Sequence, residues 1–280
     1  MDIVLPDGRR PDLIVFSDLD GTLLDCDDYS CDSALESLQR LKALNIPLVF
    51  CTSKTLAEIL PIRDRLGNHD PFIVENGGAV YIPTGYFESP FDFNREADGY
   101  QVIELGTPYR DLVDALDRLK LKTEVPLRGF SDMTTDEVAS LCTLTRLQAG
   151  QAKARDWDEP FLILGPASID AVISAAEVPV THGGRFHHLT TSDKGRAVTI
   201  VIALMKRFRG EVTSVGIGNG PNDIPMLNVV DIPIMVGTAI GDSDLGPPLH
   251  HARQYSDEGP DVWKTAVATL LDEASTNLRI

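Results

Sequence analysis

Apolar runs of strand length alternate with helical periodicity along the first quarter of this 280-residue chain, and few folds accept that order. Leu13-Ile14-Val15-Phe16, Ile46-Pro47-Leu48-Val49-Phe50 and Pro71-Phe72-Ile73-Val74 are continuous apolar runs. Such runs belong to strands covered on both faces. Between them, Ala34, Leu35, Leu38, Leu41 and Leu44 recur at helical spacing, and residues 55–66 read as a second helix. A β-α-β-α-β order implies right-handed crossovers and a parallel sheet. Similar runs return at 212–217 and 232–236, after a helix over 193–208. Residues 76–100 are rich in Gly, Pro and aromatics. Shorter elements follow, with helices over 111–120, 143–155 and 169–176 and a strand over 161–164. Residues 241–259 read as a polar loop and 261–273 as a closing helix. The expected architecture is α/β. A Rossmann-like parallel-sheet core comes from residues 1–82 and 190–280, and an inserted α/β cap from residues 83–189.

The formal net charge of -17 argues against nucleic acid as a partner, since phosphate backbones attract Lys and Arg. An anionic substrate then needs a local cationic site or a metal. No apolar run approaches the roughly 20 residues of a membrane span. The start, Met1 to Asp7, lacks the basic and apolar stretches of a signal peptide. Cys26, Cys31, Cys51 and Cys142 show no paired metal spacing and fit reduced thiols. A cytoplasmic protein is expected, without membrane or nucleic-acid partners.

Chemistry-bearing residues gather where the parallel strands end, the edge at which open α/β sheets bind ligands. The first strand runs into Asp18-Leu19-Asp20-Gly21-Thr22. Acids at i and i+2 can point the same way, suiting a metal or phosphoryl chemistry; a capped turn is the plainer alternative. The second strand ends in Thr52-Ser53-Lys54, where a hydroxyl and helix-start N–H groups can hold a phosphate oxygen or simply cap a helix. Lys194 opens the 193–208 helix, where its charge opposes the helix dipole; it can pair with an aspartate and with a phosphate, a solvated lysine being the plainer alternative. The fourth segment, Gly216 to Leu227, is a Gly-rich strand-to-helix turn carrying Asn219, Asn222 and Asp223. Oxygen-rich turns of this kind suit Mg2+.

These four segments, in this order, resemble the haloacid dehalogenase (HAD) superfamily of phosphohydrolases, and the resemblance covers nearly the whole chain. The late insertion resembles the branch with a large α/β cap. Residues 50–55, 71–78, 154–161, 183–189 and 259–263 resemble the mannosyl-3-phosphoglycerate phosphatase group within it. The resemblance implies a Mg2+-dependent phosphatase acting on a phosphorylated sugar-glycerate through an aspartyl-phosphate. Asp18 is the implied nucleophile and Asp20 the proton shuttle, while Thr52 and Lys194 bind the charge spreading over the phosphoryl group. The implied metal set is Asp18, Asp20 through its carbonyl, Asp223 and Asn219. Glucosyl-3-phosphoglycerate or another sugar phosphate, a phosphomutase activity and a non-catalytic sugar-phosphate sensor are the alternatives.

The family usually carries an acid at the position of Asn219. An amide oxygen can ligate Mg2+ but brings no charge, so weaker metal affinity is expected. Specificity is expected from the cap. Arg185 suits bidentate recognition of a glycerate carboxylate, and His188 lies beside it. Ser53, Lys54, Glu75, Asn76 and Asn222 complete the expected substrate contacts. Arg155 and Glu159 are expected either to pair within the cap or to bind sugar. The Gly-rich segments near 77–85 and 183–184 are the expected hinges of cap closure.

Overall fold

In a computed structural model, residues 12–123, 125–165, 169–183, 185–237 and 251–276 are described. The segment Met1 to Asp7, residues 241–250 of the expected polar loop, and Gly184 of the expected hinge lie outside them. The chain opens with β1 (Asp12–Ser17), α1 (Leu35–Ala43), β2 (Leu48–Cys51), α2 (Leu56–Leu66) and β3 (Phe72–Val74). Next come β4 (Ala79–Pro83), β5 (Arg95–Ala97), β6 (Tyr100–Glu104) and α3 (Tyr109–Thr123). The middle of the chain holds β7 (Leu127–Gly129), α4 (Thr135–Cys142), α5 (Arg146–Ala152), β8 (Glu159–Ile163), α6 (Ile169–Ala175), β9 (Val180–Gly183) and β10 (Phe186–Leu189). It ends with α7 (Lys194–Arg209), β11 (Val212–Gly218), α8 (Ile224–Leu227), β12 (Ile232–Val236), β13 (Arg253–Tyr255) and α9 (Pro260–Thr276).

Two sheets result. One has nine strands in the order β13-β12-β11-β1-β2-β3-β4-β6-β5, and the other has four in the order β7-β8-β10-β9. β13, β12, β11, β1, β2 and β3 pair in parallel, and β1 lies at the centre. The continuous apolar run of β1 is explained by cover on both faces. Val15 packs in one layer with Trp263 and Leu270. Ile14 and Phe16 point the other way, onto Val198 and Val201. Side chains alternate along a strand, so each face receives every second residue.

Helix ends follow local chemistry. Thr55 caps α2 through a reciprocal pair with Glu58, and Gly67 closes it in the left-handed region. Asp193 caps α7 by accepting from the Arg196 N–H at 2.8 Å.

Three expectations change. The helix expected over 143–155 is shorter, α5 alone, because Thr143 adopts φ 58° as the cap that ends α4 and Thr145 starts α5 with its own cap. Arg253–Tyr255, expected within a loop, pairs with β12 as the sheet edge. β5 and β6 fall in the sequence range expected for the cap but extend the nine-stranded sheet through β4. The chain instead crosses to the second sheet at residues 105–108 and returns at 190–193. There the Thr107 N–H donates to Thr191 Oγ1 at 3.0 Å. The Gly-rich stretch near 77–85 stays with the nine-stranded sheet.

Candidate active site

β1 delivers Asp18 to the carboxyl edge of the sheet, and the backbone beyond it is fastened on several sides. The Ser17 hydroxyl donates to the Asp18 carbonyl at 2.7 Å and accepts from Trp263 Nε1 at 2.9 Å. Helix α9 therefore reaches across the core to fix the residue before the acid. Gly21 takes φ 72° and turns the chain away. A Cβ there would lie 2.3 Å from Asn219 Nδ2, so no side chain fits between the Asp20 turn and the Asn219 loop.

Lys194 is the centre of charge. Its Nζ lies 2.6 Å from Asp18 Oδ1 and 2.6 Å from Asp223 Oδ1, and it is fully buried. Burial works against its charge, but the two carboxylates outweigh that and hold its pKa well above the ordinary value. Burial and the neighbouring charge of Asp223 push Asp18 up to about 7, against the pull of Lys194. Asp223 is saturated: its other oxygen accepts the N–H groups of Asn219 and Gly220, each at 2.9 Å. A Cβ on Gly218 would lie 2.5 Å from the Asp223 Cβ, which explains the glycine at the end of β11. Asp18 keeps one lightly engaged oxygen, Oδ2, with the Thr22 hydroxyl 3.4 Å away.

Asp20 behaves differently. Its side chain is 39% exposed and pairs with Lys54 Nζ at 2.8 Å. Lys54 also lies 4.8 Å from the centroid of the Tyr29 ring.

A cleft of about 890 Å³ opens above these groups. Of the residues expected at the site, Asp18, Asp20, Ser53 and Lys54 line it, with Asn219 and Asn222. Arg185 and His188 line it from the four-stranded sheet. Lys194 and Asp223 lie beneath the floor, with Lys194 bridging Asp223 to Asp18. Thr52 is buried and off the wall, its hydroxyl accepting the Lys54 N–H at 3.1 Å.

Glu75 and Asn76, expected to meet a sugar hydroxyl, are buried in the seam between the two sheets instead. Both take left-handed backbone, φ 47° and 56°. Such conformations cost non-glycine residues on the order of 1–3 kcal/mol each. The Glu75 carboxylate accepts the N–H groups of Asp156 and Trp157, at 3.0 and 2.9 Å. Burial pushes Glu75 up to about 7, partly countered by Arg155. Asn76 Nδ2 donates to Asp158 at 2.8 Å, and Asn222 Nδ2 donates to Asn76 Oδ1 at 3.0 Å.

The expected Arg155–Glu159 pair does not form. Glu159 accepts from Ser131 at 2.6 Å, while Arg155 Nη1 donates to the Ser53 carbonyl at 3.2 Å and lies 3.6 Å from Asp158. Arg155 lines the cleft, in line with the sugar-binding alternative for it, and Tyr29, His182 and Glu258, which carry no motif that marks them in the sequence, line it as well.

The donor set suits a hard divalent cation. Among the described residues no three His, Cys, Asp or Glu side chains converge as a metal site, so the protein offers few charged ligands. It does offer the Asp18 carboxylate and the Asn219 amide against Gly21. The Asp20 carbonyl is bypassed by the backbone bonds Gly21 N–H to Leu24 O and Leu24 N–H to Leu19 O. Few protein oxygens with room for water and a substrate oxygen is the usual environment of Mg2+.

The family of haloacid dehalogenase-like hydrolases matches residues 15–98. A glucosyl-3-phosphoglycerate/mannosyl-3-phosphoglycerate phosphatase of Persephonella marina is 44% identical over 230 residues, covering 80% of this chain and 84% of the relative. The chain belongs to the haloacid dehalogenase family. A second HAD relative of the same description, from Methanococcoides burtonii, is 38% identical and covers 92% of this chain and 97% of its own. The HAD fold extends over both sheets. A solved phosphatase of this superfamily from Bacteroides thetaiotaomicron superposes with a TM-score of 0.66 at 15% identity, covering 97% of this chain and 98% of that one.

Proposed function

We propose that this HAD protein is a Mg2+-dependent phosphatase that hydrolyses mannosyl-3-phosphoglycerate, or its glucosyl counterpart, to the sugar glycerate and phosphate. The observation that carries the reading is the division of the cleft. Its floor holds an acid, Asp18, poised on a buried lysine, and its far wall holds Arg185, His188 and Arg155. A phosphate monoester whose other end carries a carboxylate and a sugar matches both. The names of the two relatives point to the same substrates.

Asp18 Oδ2 attacks phosphorus in line, forming an aspartyl-phosphate as the bond to the glycerate oxygen breaks. Asp20, released from Lys54, protonates that leaving oxygen. It then takes a proton from the water that attacks the aspartyl-phosphate, and inorganic phosphate leaves. Lys194, from beneath the floor, neutralises Asp18 between turnovers and stabilises the charge spreading over the phosphoryl group, with the Thr52 hydroxyl behind the wall adding to that stabilisation. Asp223 holds Lys194 in place. Asp18, the Asp20 carbonyl and Asn219 would hold Mg2+, whereas Asp223, the fourth expected ligand, is engaged by Lys194 and two backbone N–H groups; the metal would offset the repulsion between a carboxylate and a phosphate dianion. Arg185 takes the glycerate carboxylate as a bidentate pair, and His188 and Asn222 contact the remaining polar groups. The unit from α3 to β10 serves as the cap, and the enzyme works in the cytoplasm. No helix among the described residues is long and apolar enough to cross a membrane.

The test is phosphate release from p-nitrophenyl phosphate, mannosyl-3-phosphoglycerate and glucosyl-3-phosphoglycerate, with Mg2+ and with EDTA. Mg2+-dependent release with kcat/KM at least about 100-fold higher on a sugar-phosphoglycerate than on the aryl ester is expected. Failure to release phosphate from any of them rejects the reading.

A further inference from the structure

Residues 75–76, 157–158 and 188 come from three separate stretches of sequence and meet in a buried seam between the two sheets. Asp158 is completely buried just before β8. Its two oxygens lie 2.9 Å from His188 Nδ1, and one of them also receives Asn76 Nδ2 at 2.8 Å. Asn76 in turn accepts from Asn222 Nδ2 at 3.0 Å. The two ends of this series, His188 and Asn222, both line the cleft, one from the cap side and one from the loop after β11. The two inner members, Asn76 and Asp158, do not line it.

Donor and acceptor directions are fixed throughout. A carboxylate only accepts, so Asp158 assigns the proton of His188 to Nδ1 and leaves Nε2 for an occupant of the cleft. The same carboxylate draws the amide nitrogen of Asn76 toward itself. The Asn76 oxygen therefore faces Asn222 and sets the orientation of that amide as well. Each link dictates the next, and a seam meant only to pack would not need two adjacent residues in left-handed backbone to build it.

We propose that Asp158, acting with Asn76, is a positioning residue that orients His188 and Asn222 together and so makes sugar-glycerate recognition depend on the cap being seated. This rests on the phosphatase reading above. Its consequence is selective. A substrate that reaches the cap depends on the relay, whereas a small aryl phosphate, lacking a sugar glycerate, depends on it much less.

The test uses the full-length enzyme. In Asp158→Asn, kcat/KM for mannosyl-3-phosphoglycerate is expected to fall about 10- to 100-fold, mostly through KM, the usual range for residues that orient a ligand from behind. The loss on p-nitrophenyl phosphate should be at least about tenfold smaller than that. In His188→Gln, adding Asp158→Asn should cost little further, because the group being oriented is gone. Equal losses on the two substrates, or additive losses in the double variant, overturn the proposal. Nitrogen-15 NMR of the His188 ring in the unsubstituted protein gives an independent answer should Asp158→Asn not fold. A proton on Nδ1 is expected, and the Nε2–H tautomer overturns the assignment. Absence of phosphate release from every substrate by the unsubstituted enzyme would instead reject the phosphatase reading, leaving the NMR result to stand or fall alone.

Discussion

The floor of the cleft and the seam beneath its cap are both buried polar networks, yet they are built on opposite plans. The floor is strongly charged and compact. One lysine is shared by two carboxylates at 2.6 Å, and one of those carboxylates is pinned again by two backbone N–H groups. The seam carries its load through amides, backbone N–H groups and a histidine, with Glu75 and Asp158 as its acids. The floor concentrates charge where charge must move in a reaction. The seam spreads hydrogen bonds across two sheets where orientation must be transmitted.

The contrast is broken most severely at Lys194. Lys194→Met removes the cation from two buried carboxylates. Loss of one partner of a buried pair costs about 3–5 kcal/mol, so a comparable fall in unfolding free energy is expected by chemical denaturation. Phosphate release should fall by at least about 1,000-fold as the phosphoryl charge loses its partner. A fully active, equally stable variant would show that the floor does not depend on concentrated charge.

The seam makes a different prediction, in pH. Glu75 sits at about 7 in the folded protein against an ordinary value of 4.5. Between those values the folded state keeps a proton that the unfolded chain has lost, so stability falls as pH rises from about 4.5 to about 7 and levels off above. Glu75→Gln should remove this share of the slope and leave the parallel share of Asp18, which is also raised to about 7. Denaturation at pH 5 and pH 8 is expected to show about 2–3 kcal/mol more loss in the parent protein than in the variant. Identical slopes would mean that the Glu75 carboxylate is ionised throughout.

The smallest effect concerns the neutral member of the floor. Asn219→Asp adds a charge beside the Asp20 turn. Calorimetric titration of the substrate-free protein should show Mg2+ bound about tenfold more tightly, roughly 1.4 kcal/mol. Unchanged affinity would remove Asn219 from the metal set.

Sequence alone disclosed the floor far better than the seam, for a physical reason. Asp18, Lys194 and Asp223 each stand at the end of a strand or the start of a helix, and the parallel sheet brings such ends to one edge whatever the loops do. Gly21 and Gly218 mark close approaches that only glycine permits. The Asn76–Asp158–His188 links have no such local signature. They depend on how an inserted unit docks, and Glu75 and Asn76 were therefore placed on the cleft wall instead of behind it. The same limit applies to β5 and β6, whose residues read as part of the insert but complete the core sheet. Likewise Thr143, which reads as the start of a helix, instead ends α4 in left-handed backbone.

The central claim is that Asp18 carries the phosphoryl group. Rapid acid quench of the enzyme turning over mannosyl-3-phosphoglycerate, followed by peptide mass spectrometry, tests it directly. A phosphorylated peptide with the label on Asp18 is expected, absent from Asp18→Asn, whose phosphate release falls at least about 1,000-fold. Full turnover by Asp18→Asn with the substituted residue verified, or a phosphoryl group found on another side chain, would contradict it.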